Sequence, residues 1–524
     1  MMNRKTSVLI CGAGPAGLTL AHLLGQAEID CVVIDRLPAT MEEPRAIAID
    51  GESIRTLQKL GLLDGLQDTF LSGLEAEYIN SEGTRLFKVG RPDYKPYGYP
   101  MVNAFDQPTL DRHLAATLAQ RDSVQLLFEH TLLGLEQSDR GVTARCRNAK
   151  GEDVVIEAAY LVGCDGGRST VRSLLKIAMQ GETNPQPWLV IDTRDAYLDG
   201  QLDCRFFCDP KRPGMTIRKR HGERRWEWML MPGETPEQLL DDGMIRQLIA
   251  PYTDAGQVEV YRKRVYDFHA LLAERWREGR VFLAGDAAHM TPPFAGQGLN
   301  SGLRDVANLS WKLAAVVKGT ASESLLESYE KDRRDHAWEL IQTALTLGQQ
   351  IQPIDPAAAA ERDAFFAELN QSPDAMEALE MDMAKAVTQR RVDASMVVAN
   401  EGSAIPGSLL IQPPVSRNGE HRLLDDVLGT GFAVLGVNCN PQALLKAAAL
   451  APWEDIAPQF VGVWTSAEMA PSDAWVDESG ALAEWLGTDQ PQILLIRPDR
   501  FCMAQAAVDH SETVLRKARA LMAC

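Results

Sequence analysis

The chain has nine cysteines in 524 residues but no Cys-x-x-Cys pair. Scattered and odd in number, they argue against a disulfide framework and a structural metal, and for a reducing, cytoplasmic compartment. Cys204 and Cys208 lie closest together, but the alternation over Asp203–Asp209 reads as strand core. No apolar run approaches the ~20 residues of a membrane span. Arg4 and Lys5 precede an apolar stretch in the manner of a signal peptide, yet Gly12, Gly14 and Pro15 interrupt it. Basic residues are in deficit, Lys+Arg 53 against Asp+Glu 72, a net charge of −19. That balance disfavours nucleic acid and anionic membranes as partners and suits a small organic substrate. There is no internal repeat and no low-complexity tail. At ~150 residues per domain, the length allows about three domains.

What is present begins with Val8-Leu9-Ile10-Cys11-Gly12-Ala13-Gly14-Pro15-Ala16-Gly17, a buried strand turning through Gly-x-Gly-x-x-Gly into a helix. Asp35 closes the pattern at the end of a second apolar run, Cys31–Ile34. Gly12 permits the turn, Gly14 lets backbone approach a pyrophosphate, and Gly17 lets helix and strand pack closely. The helix N-terminus offers free N–H groups to that anion, and the acid can bind an adenosine ribose.

Further on, an amphipathic helix starts near Glu52, and residues 71–105 suggest a small sheet or loop. A helix through Asp111, Leu114 and Leu118 is followed by strands at Val124–Phe128, Gly141–Arg147 and Val154–Ala159, consistent with an antiparallel meander. Tyr160–Cys164 reads as a separate buried strand ending in Asp165-Gly166-Gly167-Arg168, either a ligand-facing loop or a capped turn. Between 181 and 264 the pattern is β-like, with Trp226 and Trp228 as sheet-face residues. The cluster Arg218, Lys219, Arg220, Arg224 and Arg225 reads as a solvated hairpin around His221-Gly222, or as an attractor for a carboxylate or nucleotide phosphate. A third strand, Val281–Ala284, ends in Gly285-Asp286-Ala287-Ala288-His289. After Pro292, Pro293 and Gly296-Gln297-Gly298 comes a long helix. Residues 322–400 read as helical. Beyond the Pro-containing stretch 404–414, strands at Phe432–Gly436, Phe460–Val463 and Ile493–Ile496, with helices at Pro441–Leu450 and Ser511–Met522, form an α/β unit.

GAGPAG at 12–17, CDGGRSTVR at 164–172 and GDAAHMTPPFAGQGLNSG at 285–302 together resemble the single-component FAD-dependent aromatic hydroxylases of the p-hydroxybenzoate and phenol hydroxylase type. PRAIAID at 44–50, NAFDQPTLDRHL at 103–114, MPGET at 231–235 and the stretch 423–441 are similar to the 3-(3-hydroxyphenyl)propionate hydroxylases within that family. The resemblance implies an α/β and α+β architecture. A Rossmann-type FAD-binding fold with a helical extension would take 1–75, 105–180 and 265–403, and an inserted β-sheet substrate domain 76–104 and 181–264. A thioredoxin-like domain would take 405–524. Cys439 there is followed by Asn440 and Pro441, without the second cysteine of a redox pair.

By the same resemblance, Gly12, Gly14 and Gly17 hold the FAD pyrophosphate, Asp35 the ribose and Asp286 the ribityl chain. Arg45 and Gln107 lie beside the flavin, Arg112 near the pyrophosphate, and Asp165 and Arg168 serve both FAD and the nicotinamide nucleotide. Gly296, Gly298 and Leu299 bring a helix N-terminus to the flavin N1/C2 edge, where an oriented dipole stabilises the negative charge of reduced flavin. A flexible lid is the other reading of those glycines, against which Pro292 and Pro293 stiffen the approach. Ala16, Arg36, Gly285, Pro293 and Asn300 complete the expected cofactor set. The implied reaction uses NADH or NADPH and O2 to hydroxylate a phenolic ring through a flavin C4a-hydroperoxide, with a homodimer compatible. Asp50 is the candidate catalytic residue, holding the phenolic proton, or else it caps the helix that follows it. Rival readings are an oxidase, a monooxygenase of non-phenolic rings, and a non-catalytic FAD-binding protein. A flavin halogenase would need Trp-x-Trp-x-Ile-Pro, whereas Met229-Leu230 follows Trp228 here.

Overall fold

The strand Met2–Cys11 buries Val8, Leu9 and Ile10 completely, because it lies between two parallel neighbours. The computed structural model describes residues 2–194, 203–388, 390–400 and 403–523; the stretch 195–202 of the expected sheet domain lies outside them. Helix Pro15–Gln26 follows the first strand, with proline in its first turn. The central sheet runs Arg277–Glu278, Val281–Leu283, Asp153–Gly163, Met2–Cys11, Cys31–Ile34, Val124–Leu127, with Gly141–Arg147 and Thr131–Ser138 branching from it.

Two expectations are corrected here. Val154–Ala159 and Tyr160–Cys164 are one strand, Asp153–Gly163, parallel to the first strand along its whole length. Its other edge is shared: Gly141–Arg147 pairs antiparallel with the first half, and Val281–Leu283 parallel with the last three residues. Val124–Leu127 is outside the meander and pairs parallel with Cys31–Ile34, reached through the crossover helix Gln107–Leu118. The meander's first strand is instead Thr131–Ser138, whose mostly exposed side chains gave little apolar alternation.

A second sheet of seven strands runs Glu259–Tyr266, Trp188–Arg194, Arg224–Met229, Gly214–Arg218, Cys204–Cys208, Ala76–Asn80, Arg85–Val89. It joins residues from both sides of the central-sheet segment 105–180. Its outer face carries Trp226 stacked on Trp228 at 5.6 Å, over Leu239, Ile245 and Ile249. Its inner face carries Trp188, Phe206, Met215 and Met229, packed with Phe294, Leu347 and Phe366. The helices Ser328–Ile351, Pro356–Leu369 and Pro373–Thr388 supply that packing and its flank.

The basic cluster is only partly a solvated hairpin. Arg220 is exposed and Arg218 is half-buried against Asp203, but Lys219, Arg224 and Arg225 are 5%, 2% and 2% exposed. Lys219 pairs with Glu223 at 2.8 Å and Asp106 at 3.1 Å, and Arg225 with Asp192 at 2.9 Å. Glu223 is four residues from Lys219, but Asp106 and Asp192 lie on distant segments, so a reading of local charge could not see them.

The C-terminal sheet also has seven strands, in the order Glu420–Leu423, Pro414–Arg417, Trp475–Val476, Gln459–Trp464, Ala433–Val437, Gln492–Ile496, Cys502–Ala507. Pro441–Leu450 forms two short helices, Pro441–Leu444 and Ala447–Leu450, because extended backbone at Leu445 and Lys446 buries the Leu445 side chain. This unit docks on the helix Gly298–Val317, with Phe432 edge-on to Trp311 at 5.5 Å. Buried ion pairs seal the contact, Arg55 to Asp425 at 2.7 Å and Arg497 to Asp332 at 2.9 Å. No helix among the described residues is long and apolar enough to cross a membrane.

Candidate active site

A cavity of about 640 Å³ opens where the C-terminal edge of the central sheet faces the inner side of the second sheet. Gly14, Ala16, Arg45, Gln107, Gly285, Asp286, Pro293, Gly296, Gly298 and Leu299 from the expected cofactor set all lie on its wall. The opposite wall is mostly apolar, formed by Tyr78, Trp188, Phe206, Met215, Ile217 and Phe294 with Arg225 and Glu227 among them. Leu347 of Ser328–Ile351 and Met383 and Val387 of Pro373–Thr388 also border it.

The three glycines of the turn meet different surroundings. A Cβ on Gly17 would fall 1.9 Å from the Gly12 carbonyl oxygen, and one on Gly12 would fall 2.3 Å from that of Cys164. Gly12 also holds φ at +108°, which an L side chain rarely adopts. A Cβ on Gly14 would meet nothing within 4 Å, so the backbone there borders open space. Asp35 accepts from Ala13 N at 2.7 Å and Leu37 N at 2.8 Å, clasping the turn to the second strand. Arg36 beside it is exposed.

Gln107 shapes the segment that carries Arg45, its Oε1 accepting from Arg45 N at 2.9 Å and Ala46 N at 2.8 Å. One turn along, Asp111 also faces the cavity, a residue the sequence pattern had read only as helix. Asp111 Oδ2 takes a bond from Gln107 Nε2 at 3.3 Å while Oδ1 is buried without a partner; burial pushes the carboxyl up to about 8. Arg112 is not on the wall, and binds Glu42 at 2.5 Å and Thr109 at 3.0 Å instead.

Asp165 is committed to its own loop, accepting from Ser169 Oγ at 2.5 Å, Thr170 N at 2.7 Å and Val171 N at 3.1 Å. The loop is a capped turn that also brings Gly166 to the cavity wall, and Arg168 stands exposed beside it. Asp286 differs. Half-buried on the cavity wall, its carboxylate makes no hydrogen bond among the described residues. Burial raises its carboxyl, against the pull of His289 and Arg45.

The loop bearing Asp286 is braced from below by Asp305, which the sequence reading missed. Asp305 Oδ2 accepts from Gly285 N at 3.0 Å and sits 2.6 Å from His289 Nε2; Oδ1 accepts from Arg333 Nε at 3.0 Å. Burial would raise this carboxyl, but His289 and Arg333 hold it below its ordinary value. The available signal was an acid on the buried face of an amphipathic helix.

Gly296, at φ +63°, delivers the chain to the N-terminus of Gly298–Val317, whose first residues border the cavity. Asn300 acts as a tie rather than a wall residue. Its Oδ1 accepts from Asp50 N at 3.0 Å and Ser53 Oγ at 2.8 Å, and its Nδ2 donates to the Gly296 carbonyl at 2.7 Å.

Of the two readings of Asp50, the structure shows the helix cap. It is 5% exposed and absent from the cavity wall. One oxygen caps helix Gly51–Lys59 through Ser53 N at 2.8 Å, and the other forms an ion pair with Arg304. Arg304 also binds Glu52 at 2.8 Å and Gln297 at 2.7 Å, so this acid is satisfied within the protein.

Residues 5–344 match the family described as FAD binding domain, and residues 407–521 the HcaD C-terminal domain. A 3-(3-hydroxy-phenyl)propionate/3-hydroxycinnamic acid hydroxylase of Burkholderia cenocepacia is 38% identical over 514 residues, covering 96% of this chain and 94% of that protein. The chain belongs to the FAD-dependent aromatic hydroxylases. The hydroxylase of the same description from Comamonas testosteroni is 36% identical, covering 97% of this chain and 96% of its own length. Among solved structures, aklavinone-11 hydroxylase with FAD and aklavinone aligns with a TM-score of 0.79 at 26% identity, covering 99% of this chain and 100% of that one. The flavin-dependent monooxygenase PieE aligns over 100% of both chains, with a TM-score of 0.81 at 21% identity, and shares the fold. This chain is therefore an FAD-dependent aromatic hydroxylase.

Proposed function

We propose that the cavity is a single reaction chamber, with FAD along the central-sheet wall and the phenol between it and the apolar face of the second sheet. The observation that carries this reading is the continuity of one cavity from Gly14 to Trp188 and Phe206. The residues fit FAD: open space at Gly14 suits a pyrophosphate, and the partnerless Asp286 carboxylate suits a ribityl hydroxyl. Asp35 would take the adenosine ribose, Arg45 and Gln107 would flank the flavin, and the amides of Gly298 and Leu299 would serve its N1/C2 edge. Ala16, Gly285, Pro293 and Gly296 keep the wall close to it. Asn300 serves indirectly, by tying the Gly296 carbonyl to the Asp50 amide. Arg36, Arg112 and Arg168 remain candidates for the rim, where the nicotinamide nucleotide approaches, with Asp165 shaping the loop under Arg168.

When bound, FAD supplies reduction by NAD(P)H and activation of O2 for transfer of one oxygen atom to the ring. The protein's part is to orient and exclude. Trp188, Phe206, Met215 and Phe294 hold the ring and keep out water, whose entry would divert reducing equivalents to hydrogen peroxide. The N-terminus of Gly298–Val317 borders the cavity, where its dipole would stabilise negative charge gathering on the bound flavin. The relatives' names make meta-hydroxylated phenylpropanoids the first substrates to screen.

The FAD-binding domain is assigned to 1–75, 105–180 and 265–403, the substrate domain to 76–104 and 181–264, and a thioredoxin-like domain to 405–524. Mixed strand directions with a terminal helix support that last assignment. Eight described cysteines, all free, support a cytoplasmic setting. The test is a flavin spectrum of the purified protein, followed by NADH and NADPH consumption with a panel of phenols and product analysis. Phenol-stimulated turnover with a hydroxylated product is expected. Colourless protein, or consumption that no phenol changes, overturns the reading.

A further inference from the structure

Glu227 stands where the second sheet's pattern calls for an apolar residue. On the strand Arg224–Met229, Trp226 and Trp228 face outward, so Arg225, Glu227 and Met229 face inward. In register across the sheet, Glu227 lies between Val190 and Met215, and Met215 is followed by Phe206 and Tyr78. A carboxyl in that row is 7% exposed and borders the cavity. It makes no hydrogen bond among the described residues. A buried carboxyl without a hydrogen bond is costly, and only the nearby charges of Arg225 and Arg262 offset it.

Arg225, two residues earlier on the same face, cannot be its partner. Its guanidinium binds Asp192 at 2.9 and 3.2 Å and the carbonyls of Arg45 and Pro44 at 2.9 and 3.1 Å. Arg262, on Glu259–Tyr266 beyond Trp188–Arg194, is likewise engaged with Asp192 at 2.5 Å. The other acids on the wall, Asp111 and Asp286, belong to the central-sheet side with Arg45. Among the described residues, Glu227 is therefore the carboxyl on the aromatic side of the chamber.

We propose that Glu227 accepts the hydroxyl of the phenolic substrate and is a catalytic residue of this hydroxylase. The assignment rests on the reaction chamber proposed above. The ring's π pair forms the new C–O bond, ortho or para to the hydroxyl, as the O–O bond of the O2-derived oxygen pair breaks; NAD(P)H has supplied the two electrons, and the second oxygen atom leaves as water. As the C–O bond forms, the phenolic proton moves to the Glu227 carboxylate and the substrate oxygen becomes a carbonyl. The attacked carbon then loses its hydrogen as a proton to water. Glu227 returns its own proton to the carbonyl oxygen, restoring both the aromatic diol and the carboxylate. Burial and Asp192 raise the Glu227 carboxyl, with Arg225 and Arg262 opposing, so the base form is reached above the ordinary carboxylate range.

The experiment compares FAD-loaded wild type, Glu227→Gln and Glu227→Asp, with 3-(3-hydroxyphenyl)propionate, 3-methylphenol and resorcinol as probes. Product formed per NAD(P)H consumed and the pH dependence of kcat/KM are the readouts. Glu227→Gln should lose on the order of 10²-fold in hydroxylation, with the difference appearing as hydrogen peroxide. The acid limb of the wild-type profile should disappear in Gln and persist in Asp, which recovers part of the rate. If Gln hydroxylates at the wild-type rate with the same acid limb, the assignment is overturned. Equal impairment of Gln and Asp at every pH overturns it too, because that is the mark of a packing role. A wild type that no probe or panel phenol stimulates overturns the phenol chamber itself, and this assignment with it.

Discussion

Asp332 on helix Ser328–Ile351 and Arg497 of the C-terminal unit meet at 2.9 Å with both side chains wholly buried. Lys312 reaches the same carboxylate oxygen at 2.7 Å. Burial alone would raise Asp332, but the two cations overcome it and hold the carboxyl far below its ordinary 3.8. Because the folded value is the lower one, the stabilisation is fully present above that ordinary value and is lost as pH falls through the folded one. Asp332→Asn should therefore cost about 3–5 kcal/mol near neutrality. The deficit should hold between about pH 5 and 7 and shrink below about pH 4. Urea unfolding across that range measures it, and equal stability at pH 7 would contradict the role.

Gly14 and Gly17 should fail in different ways. A side chain on Gly14 has room in the protein but fills the space assigned to pyrophosphate, so Gly14→Val should fold and purify largely colourless. Gly17→Ala pushes a methyl against the Gly12 carbonyl and should lower the melting temperature or abolish folding. Flavin absorbance and thermal unfolding separate the two, and a fully yellow Gly14→Val would remove the pyrophosphate from that turn.

Asp50→Asn should behave as a structural change. Asparagine keeps the helix cap and the backbone link to Asn300 but leaves Arg304 without one of its acids. The expected result is a lower melting temperature, with the folded, FAD-loaded fraction still coupling NAD(P)H use to product. Loss of coupling without loss of stability would return Asp50 to the substrate side.

Cys439→Ser should leave turnover and FAD content unchanged. The thiol is buried, has no second cysteine in a redox motif, and is pushed up to about 11 by burial, so little thiolate exists at neutral pH. A defect in turnover with normal folding would show that the C-terminal unit does redox work.

The glycine turn, Asp35 and most strands could be read in the chain because their signals are local: a tight turn, an apolar run, a period of two. What escaped were the partners. Arg304 completes Asp50 from 254 residues away, and Asp192 and Asp106 take up the charges of Arg225 and Lys219 from other segments. Glu227 was legible as an inward position between two outward tryptophans. That the inward side opens on a cavity depends on sheet strands contributed by residues 76–89, far from it in sequence.

The divided edge of Asp153–Gly163 has a consequence for how the protein is made. Gly141–Arg147, the preceding strand, can cover the first half as soon as both leave the ribosome. Leu161, Val162 and Gly163 wait for Val281–Leu283, roughly 120 residues later. At translation rates of ~5–20 residues per second, the nascent chain carries that bare, apolar strand edge for on the order of ten seconds. An unpaired edge is a template for other chains. The interval is thus one in which the growing chain is open to aggregation and to chaperone binding.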